Sequence, residues 1–177
     1  MIFLLSGESG SGKTTLLKEL AMMLRKNNLT PGGFTAPGTW HNGVRSGFVL
    51  HDLYHKTNYP LAEIGKTGTE MQGRFVFNEE TLGVGNILLQ QQANDIIIDF
   101  ILVDEVGPFE LRGKGWAPSL ELLARVEKPQ IWTVRPQLVD QVPERWGFRP
   151  IHVFSALMDS PEQVFRKITE LCSFPKR

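Results

Sequence analysis

The run Gly7-Glu8-Ser9-Gly10-Ser11-Gly12-Lys13-Thr14 fits the spacing G-x-x-x-x-G-K-[ST] in full. Each residue type in it has a mechanical reason. Glycines tolerate positive φ and keep side chains clear, so successive backbone N–H groups can face an anion. A helix starting at Lys13 adds its dipole at the same point. The Lys13 ammonium reaches the β- and γ-phosphates, and the Thr14 hydroxyl suits Mg2+. With Thr15 included, Gly7 to Thr15 is the expected nucleotide-binding segment. The chemistry indicated is the handling of a nucleoside triphosphate with Mg2+ as cofactor.

Such a site also needs a carboxylate near the metal, at the end of an apolar strand. Ile96-Ile97-Ile98-Asp99 and Ile101-Leu102-Val103-Asp104-Glu105 both offer one. The second is preferred because it carries two adjacent carboxylates followed closely by a glycine. Asp104 is then the second metal residue, and Glu105 the group that orients and deprotonates an attacking water. Asp99 reads as the residue opening a strand or turning into it. Charge that develops on a cleaved γ-phosphate calls for an arginine. Arg45, Arg74, Arg112 and Arg135 are the candidates, with Arg135 and Arg45 favoured. Arg135 follows the apolar run Ile131-Trp132-Thr133-Val134, at the strand end where α/β folds bind ligands. Glu110 is a candidate for supporting the site from behind.

These groups need elements to hold them. Residues 2–6 read as a buried strand, and Leu16, Leu17, Leu20, Ala21 and Leu24 mark a helix over Lys13 to Lys26. Residues 33–77 carry short β-type pieces broken by glycines, at 33–36, 44–54 and 74–77, read as a local antiparallel sheet. Asn78 caps a helix to about Gln92, which Gly83 and Gly85 weaken. Ile96 to Val106 is the strongest strand signal, followed by a loop from Gly107 to Pro118 and a helix near 119–126. A strand at 130–134, a short helix at 137–141, a strand at 151–154 and a helix at 161–172 close the chain. Ser160 before Pro161 pairs an N-cap with an N1 proline. Alternating strands and helices predict an α/β fold around a mostly parallel sheet covered on both faces.

Composition bounds the rest. The 177 residues suit one domain, 1–177, at about 100–200 residues per domain. There are 19 Lys+Arg against 19 Asp+Glu, which excludes a broad grip on nucleic acid but not a local anion pocket. The single Cys172 makes no internal disulfide and reads as a small buried hydrophobe. The apolar start is too short for a leader, no 18-residue apolar run exists, and Pro175-Lys176-Arg177 reads as a frayed end. A cytoplasmic monomer without membrane or nucleic-acid partners is expected. His41, His51, His55 and His152 lack metal-ligand spacing, and Trp116, Trp132, Trp146 and Phe109 read as packing residues, one of which could stack on a base.

The motifs occur in an order that resembles the thermophile-type nucleoside-triphosphatases, called cancer-related in animals. The matching pieces are Gly7–Thr14, Gly33-Phe34-Thr35, Val44-Arg45-Ser46-Gly47-Phe48, Gly73-Arg74-Phe75-Val76 and Val103-Asp104-Glu105-Val106-Gly107-Pro108-Phe109-Glu110-Leu111. The last is the most specific, and together they span essentially the whole chain. The resemblance implies a RecA-like P-loop NTPase core, with a strand inserted between the P-loop strand and the acidic strand. It also implies Mg2+-dependent hydrolysis of several nucleoside triphosphates, with Lys13, Thr14, Asp104 and Glu105 in the roles given above.

Three functions compete. The first is nucleoside-triphosphate hydrolysis. The second is a small-molecule or nucleotide kinase, in which Glu105 or Asp104 activates a substrate hydroxyl and Arg145 and Arg149 form a lid. The third is a slow nucleotide switch or accessory module with loops 36–43 and 107–118 as its partner surface.

Overall fold

The computed structural model describes residues 1–65 and 70–174. The strand β1 (Ile2–Ser6) and the helix α1 (Lys13–Lys26) follow the apolar patterning of the sequence. Gly10 and Gly12 between them have φ of 83° and 93°. Then come β2 (Pro31–Thr35), β3 (Gly38–His41), β4 (Val44–Asp52), β5 (Asn58–Ile64), β6 (Met71–Gln72) and β7 (Phe75–Phe77). The remaining elements are α2 (Glu79–Asn94), β8 (Phe100–Val103), α3 (Pro108–Leu111), α4 (Ala117–Leu123), β9 (Gln130–Val134), α5 (Gln141–Trp146), β10 (Val153–Ser155) and α6 (Pro161–Leu171).

One mixed sheet runs in the order β10-β1-β9-β8-β2-β4-β5-β7-β6, with β3 beside β4. The five strands β10, β1, β9, β8 and β2 pair in parallel. The strand β9 sits between the P-loop strand and the acidic strand, as the resemblance implies. The other strands are antiparallel and do not form a detached sheet. The end of β4 pairs with β2 (Phe34 opposite Asp52), so they extend the central sheet. Gly33 makes that junction possible. Its φ is 79°, and a Cβ there would lie 1.9 Å from the Leu102 carbonyl oxygen.

Alternation along the strands sorts the core into two layers. Phe3, Leu5, Phe100 and Leu102 face Leu17, Leu20, Val164 and Ile168 of α1 and α6. Ile2, Leu4, Ile101, Val103 and Trp132 pack with Leu88, Leu120, Leu123 and Trp146 on the opposite face. Burying a Leu or Phe side chain stabilises by about 1.5–3 kcal/mol, so both helical layers are held chiefly by these stripes.

Several boundaries differ from the sequence reading. The strand expected over 96–106 is only β8. Asp95 turns the chain, its side chain accepting from the Ile97 amide at 2.9 Å, and Ile96 is exposed. Asp99 opens β8 by accepting the Thr30 amide at 2.7 Å. The 107–118 loop contains α3, because the Glu110 side chain turns back to the Gly107 amide. The helix expected near 119–126 starts earlier, at Ala117, and the one at 137–141 is replaced by a 3-10 turn (Pro136–Leu138) and α5. The last strand is shifted to 153–155. Asn78 accepts from Thr81 N–H as the expected cap, and Gly85 lies in α2 where Trp116 leaves no room for a Cβ. Ser160 and Gln163 form a reciprocal cap on α6. The reading of Pro175–Arg177 falls outside the described residues.

Candidate functional site

The P-loop leaves β1 and enters α1 beside the carboxyl ends of β8 and β9, where parallel α/β sheets place ligands. Lys13 is buried, and its ammonium donates to the carbonyls of Gly7 (2.7 Å) and Glu8 (3.0 Å). The ammonium is therefore held across the loop mouth. The Thr14 hydroxyl donates to Asp104 Oδ2 at 2.7 Å, across 90 residues of sequence. This juxtaposition joins the two ends of the predicted metal site. Both are hard oxygen donors, the set that Mg2+ prefers, so the residues fit that ion.

Asp104 is fully buried and fixed at both oxygens. Thr133 Oγ1 donates to Oδ1 at 2.8 Å, and the Ala36 amide donates to Oδ2 at 3.0 Å. Thr133 also accepts the Glu105 amide at 2.7 Å. Glu105 has φ of 63°, a left-handed conformation costly for a non-glycine residue. Consecutive strand residues point to opposite faces. The left-handed turn breaks that alternation, and Glu105 lines the cavity along the loop while Asp104 bonds Thr14. Burial pushes the Glu105 carboxyl pKa up, and the Asp104 carboxylate adds to this, while Lys13, Arg135 and Arg45 oppose it. A raised carboxylate is a better general base near neutrality.

Two cavities meet at Glu105. One, of about 240 Å3, runs along the loop past Gly12, Lys13, Thr14, Thr15 and Trp40. The other, of about 360 Å3, lies beyond Glu105 and reaches Glu110 and Arg135. Ala36, Arg45, Phe48 and Glu105 line both. Arg45 is half-buried, with its guanidinium 5.0 Å from the Trp40 ring centre and 5.3 Å from that of Phe48. Glu110 is buried. Burial raises its carboxyl pKa to about 8, against the lowering effect of amides including those of Gly107 and Trp116.

The structure thus gathers Lys13, Thr14, Asp104, Glu105, Arg45 and Arg135. Glu8, Ser9, Gly10 and Ser11 complete the loop. Arg74 lines only the cavity beyond Glu105, and Arg112 is exposed and lines neither. Arg145 pairs with Glu121 at 3.1 Å and stacks on Trp146, and neither Arg145 nor Arg149 lines either cavity. His55 bonds Asp52 and His51 bonds Asn58, each at 2.7 Å. Trp132, Trp146, Phe109 and Trp116 are all core residues, and Phe109 and Trp116 also edge the cavity beyond Glu105. Sequence reasoning missed Thr133, Ala36 and Trp40. Only Thr133 carried a signal, a hydroxyl near the end of an otherwise apolar strand beside a candidate arginine.

Comparison with known proteins bears on the family and the fold. The family described as NTPase matches residues 2–169. The nucleoside-triphosphatase THEP1 of Pyrococcus abyssi is 31% identical over 170 residues, covering 95% of this chain and 90% of that protein. That of Methanopyrus kandleri is 32% identical over 148 residues, covering 80% and 79%. Among solved structures, a human cancer-related nucleoside triphosphatase superposes with a TM-score of 0.72 at 20% identity over 96% of this chain and 95% of its own. THEP1 from Aquifex aeolicus gives 0.71 at 18% over 97% and 98%, so these two speak for the fold. A match over nearly the full length, on a chain whose loop lysine, threonine and acidic pair converge in space, places this protein in the NTPase family.

Proposed function

We propose that this chain is a Mg2+-dependent nucleoside-triphosphate phosphohydrolase, cleaving a triphosphate to diphosphate and phosphate with little selection for the base. The observation that carries the reading is the 2.7 Å contact between Thr14 and Asp104, with Glu105 beside it in a left-handed turn. Loop amides and Lys13 hold the β- and γ-phosphates, and the helix dipole of α1 adds to them. Thr14 and Asp104 would hold Mg2+, which supplies neutralisation of phosphate charge when bound. Glu105 orients a water for in-line attack and takes its proton. Arg45, facing both cavities, meets the charge that develops on the transferring group, and Arg135 steadies Glu105.

The relatives' names speak for hydrolysis and against the kinase reading. Residues 1–177 act as one domain and as a monomer in this proposal. A cytoplasmic setting is supported by the buried free Cys172 and by the lack of a membrane-length apolar helix among the described residues. The test is phosphate release from each of several triphosphates with Mg2+, for the wild type and Glu105→Gln. Steady turnover in the wild type, lowered about 10²–10⁴-fold in the variant while nucleotide still binds, is expected. Release only in the presence of an added acceptor, or a single slow turnover, overturns it.

A further inference from the structure

An in-line displacement sets its own geometry. Nucleophile and leaving diphosphate lie on opposite sides of the γ-phosphorus. The P-loop grips the leaving side, and Glu105 holds the nucleophile side, so the nucleoside extends away from Glu105. The cavity beyond Glu105, which the loop touches only through Ser9, therefore belongs to the nucleophile side. Hydrolysis needs one water there, with a share of liquid volume of about 30 Å3. The cavity holds about 360 Å3, within the range of small-molecule sites.

Its lining is not that of a water channel. Phe75, Phe77, Phe109 and Trp116 present aromatic surface, and Phe77 stacks on Phe109 at 5.0 Å. Arg45, Arg74 and Arg135 add three cations, none in a salt bridge with a described residue. Arg74 donates to the Arg45 carbonyl at 3.0 Å, which sets it at the rim. Arg45 Nε is buried without a hydrogen-bond partner among the described residues. Glu105 and Glu110 are the acidic groups in the lining, so the cations outnumber them. An excess of guanidinium over carboxylate beside ring faces, with none of the three in a salt bridge with a described residue, suits a flat anion, through paired hydrogen bonds and stacking.

We infer that the cavity beyond Glu105 is a second binding site, for a small aromatic anion other than the nucleotide, and that its occupancy slows hydrolysis by filling the water's approach to Glu105. The inference rests on the hydrolase reading for its in-line geometry. The occupant binds without covalent change.

The probe is naphthalene-2-sulfonate, titrated by fluorescence and calorimetry into the full chain. Titrations are run without nucleotide and at saturation with Mg2+ and a non-hydrolysable ATP analogue. One-site binding that persists at nucleotide saturation is expected. The wild type should bind the probe at least about tenfold more tightly than Arg74→Glu, with only part of the affinity recovered in Arg74→Lys, which restores the charge but not the planar fork, and folding checked by thermal unfolding. Hexane-1-sulfonate, with the charge but no ring, should bind more weakly. Phosphate release by the wild type should fall with the same midpoint as probe binding. Absence of saturation, displacement of the probe by the nucleotide analogue, indifference to Arg74→Glu, or equal binding of hexane-1-sulfonate overturns the inference. Turnover without probe binding overturns it and leaves the hydrolase reading standing. Probe binding without turnover overturns the hydrolase reading and, with it, the claim that occupancy slows hydrolysis, and leaves only the binding site.

Discussion

Thr133 holds Asp104 from behind, donating its hydroxyl to Oδ1 at 2.8 Å while accepting the Glu105 amide at 2.7 Å. One side chain on β9 thus orients both acidic residues that follow β8. Thr133→Val keeps the shape and removes both bonds. It leaves a buried carboxylate oxygen and a backbone amide unpaired, at a cost of about 1–3 kcal/mol each. Groups that orient metal ligands are worth roughly 10–100-fold in activity or metal affinity. The expected result is a kcat lowered by that factor and a Mg2+ activation curve moved to higher concentration. Steady-state assays across a Mg2+ series check it, and an unmoved Mg2+ midpoint would sink it.

The two favoured arginines have different positions and should have different kinetic signatures. Arg45 faces the loop cavity and the one beyond, whereas Arg135 lines only the latter. An arginine that meets transition-state charge is worth about 10³–10⁵ in rate, so Arg45→Ala should fall toward that range in kcat. Arg135→Ala should lose less, because it does not reach the loop cavity, and the pH–rate profiles of both variants should shift to higher pH, since each arginine lowers the Glu105 pKa. Equal losses without a pH shift would contradict this division.

The site was legible where spacing alone specifies contact. Gly7 to Thr14 is a local structure, and the apolar run ending at Asp104 names its own strand end. The strand order was implied by resemblance rather than by patterning, since nothing in Gln130–Val134 says it lies between β1 and β8. Ile96–Ile98 misled because an apolar triplet reads the same in a strand as in a turn, and Asp95 decides the outcome by a side-chain bond to the backbone. The role of Thr133 was hidden because its partners are 28 and 29 residues away. The left-handed Glu105 was hidden because that conformation is imposed by tertiary bonds and opposes its intrinsic preference.

Gly33 carries the junction between the parallel and antiparallel parts of the sheet. Alanine there would meet the Leu102 carbonyl, and its φ of 79° disfavours any side chain. Strain of this kind costs about 1–3 kcal/mol before the clash is counted. Gly33→Ala should lower the urea midpoint well beyond the roughly 1 kcal/mol typical of point substitutions. A near-native midpoint would show that β2 and β8 can separate without loss.

Glu110 gives a stability signature that depends on pH. Its carboxyl titrates near 4.5 when unfolded and is raised to about 8 in the fold by burial. Below about 4.5 both states hold the proton, and the group contributes no pH dependence. Between about 4.5 and 8 the folded state holds a proton that the unfolded state has released, so stability falls as pH rises, by on the order of 1 kcal/mol per pH unit. Above about 8 both states are ionised and the loss is complete. Glu110→Gln keeps an acceptor for the Gly107 amide but cannot titrate. Its stability relative to the wild type should therefore grow from pH 5 to pH 8, as measured by urea unfolding at several pH values. Parallel curves for the two proteins would mean that Glu110 ionises in the fold as freely as in the unfolded chain, and that the buried end of the cavity beyond Glu105 is wetter than its packing indicates.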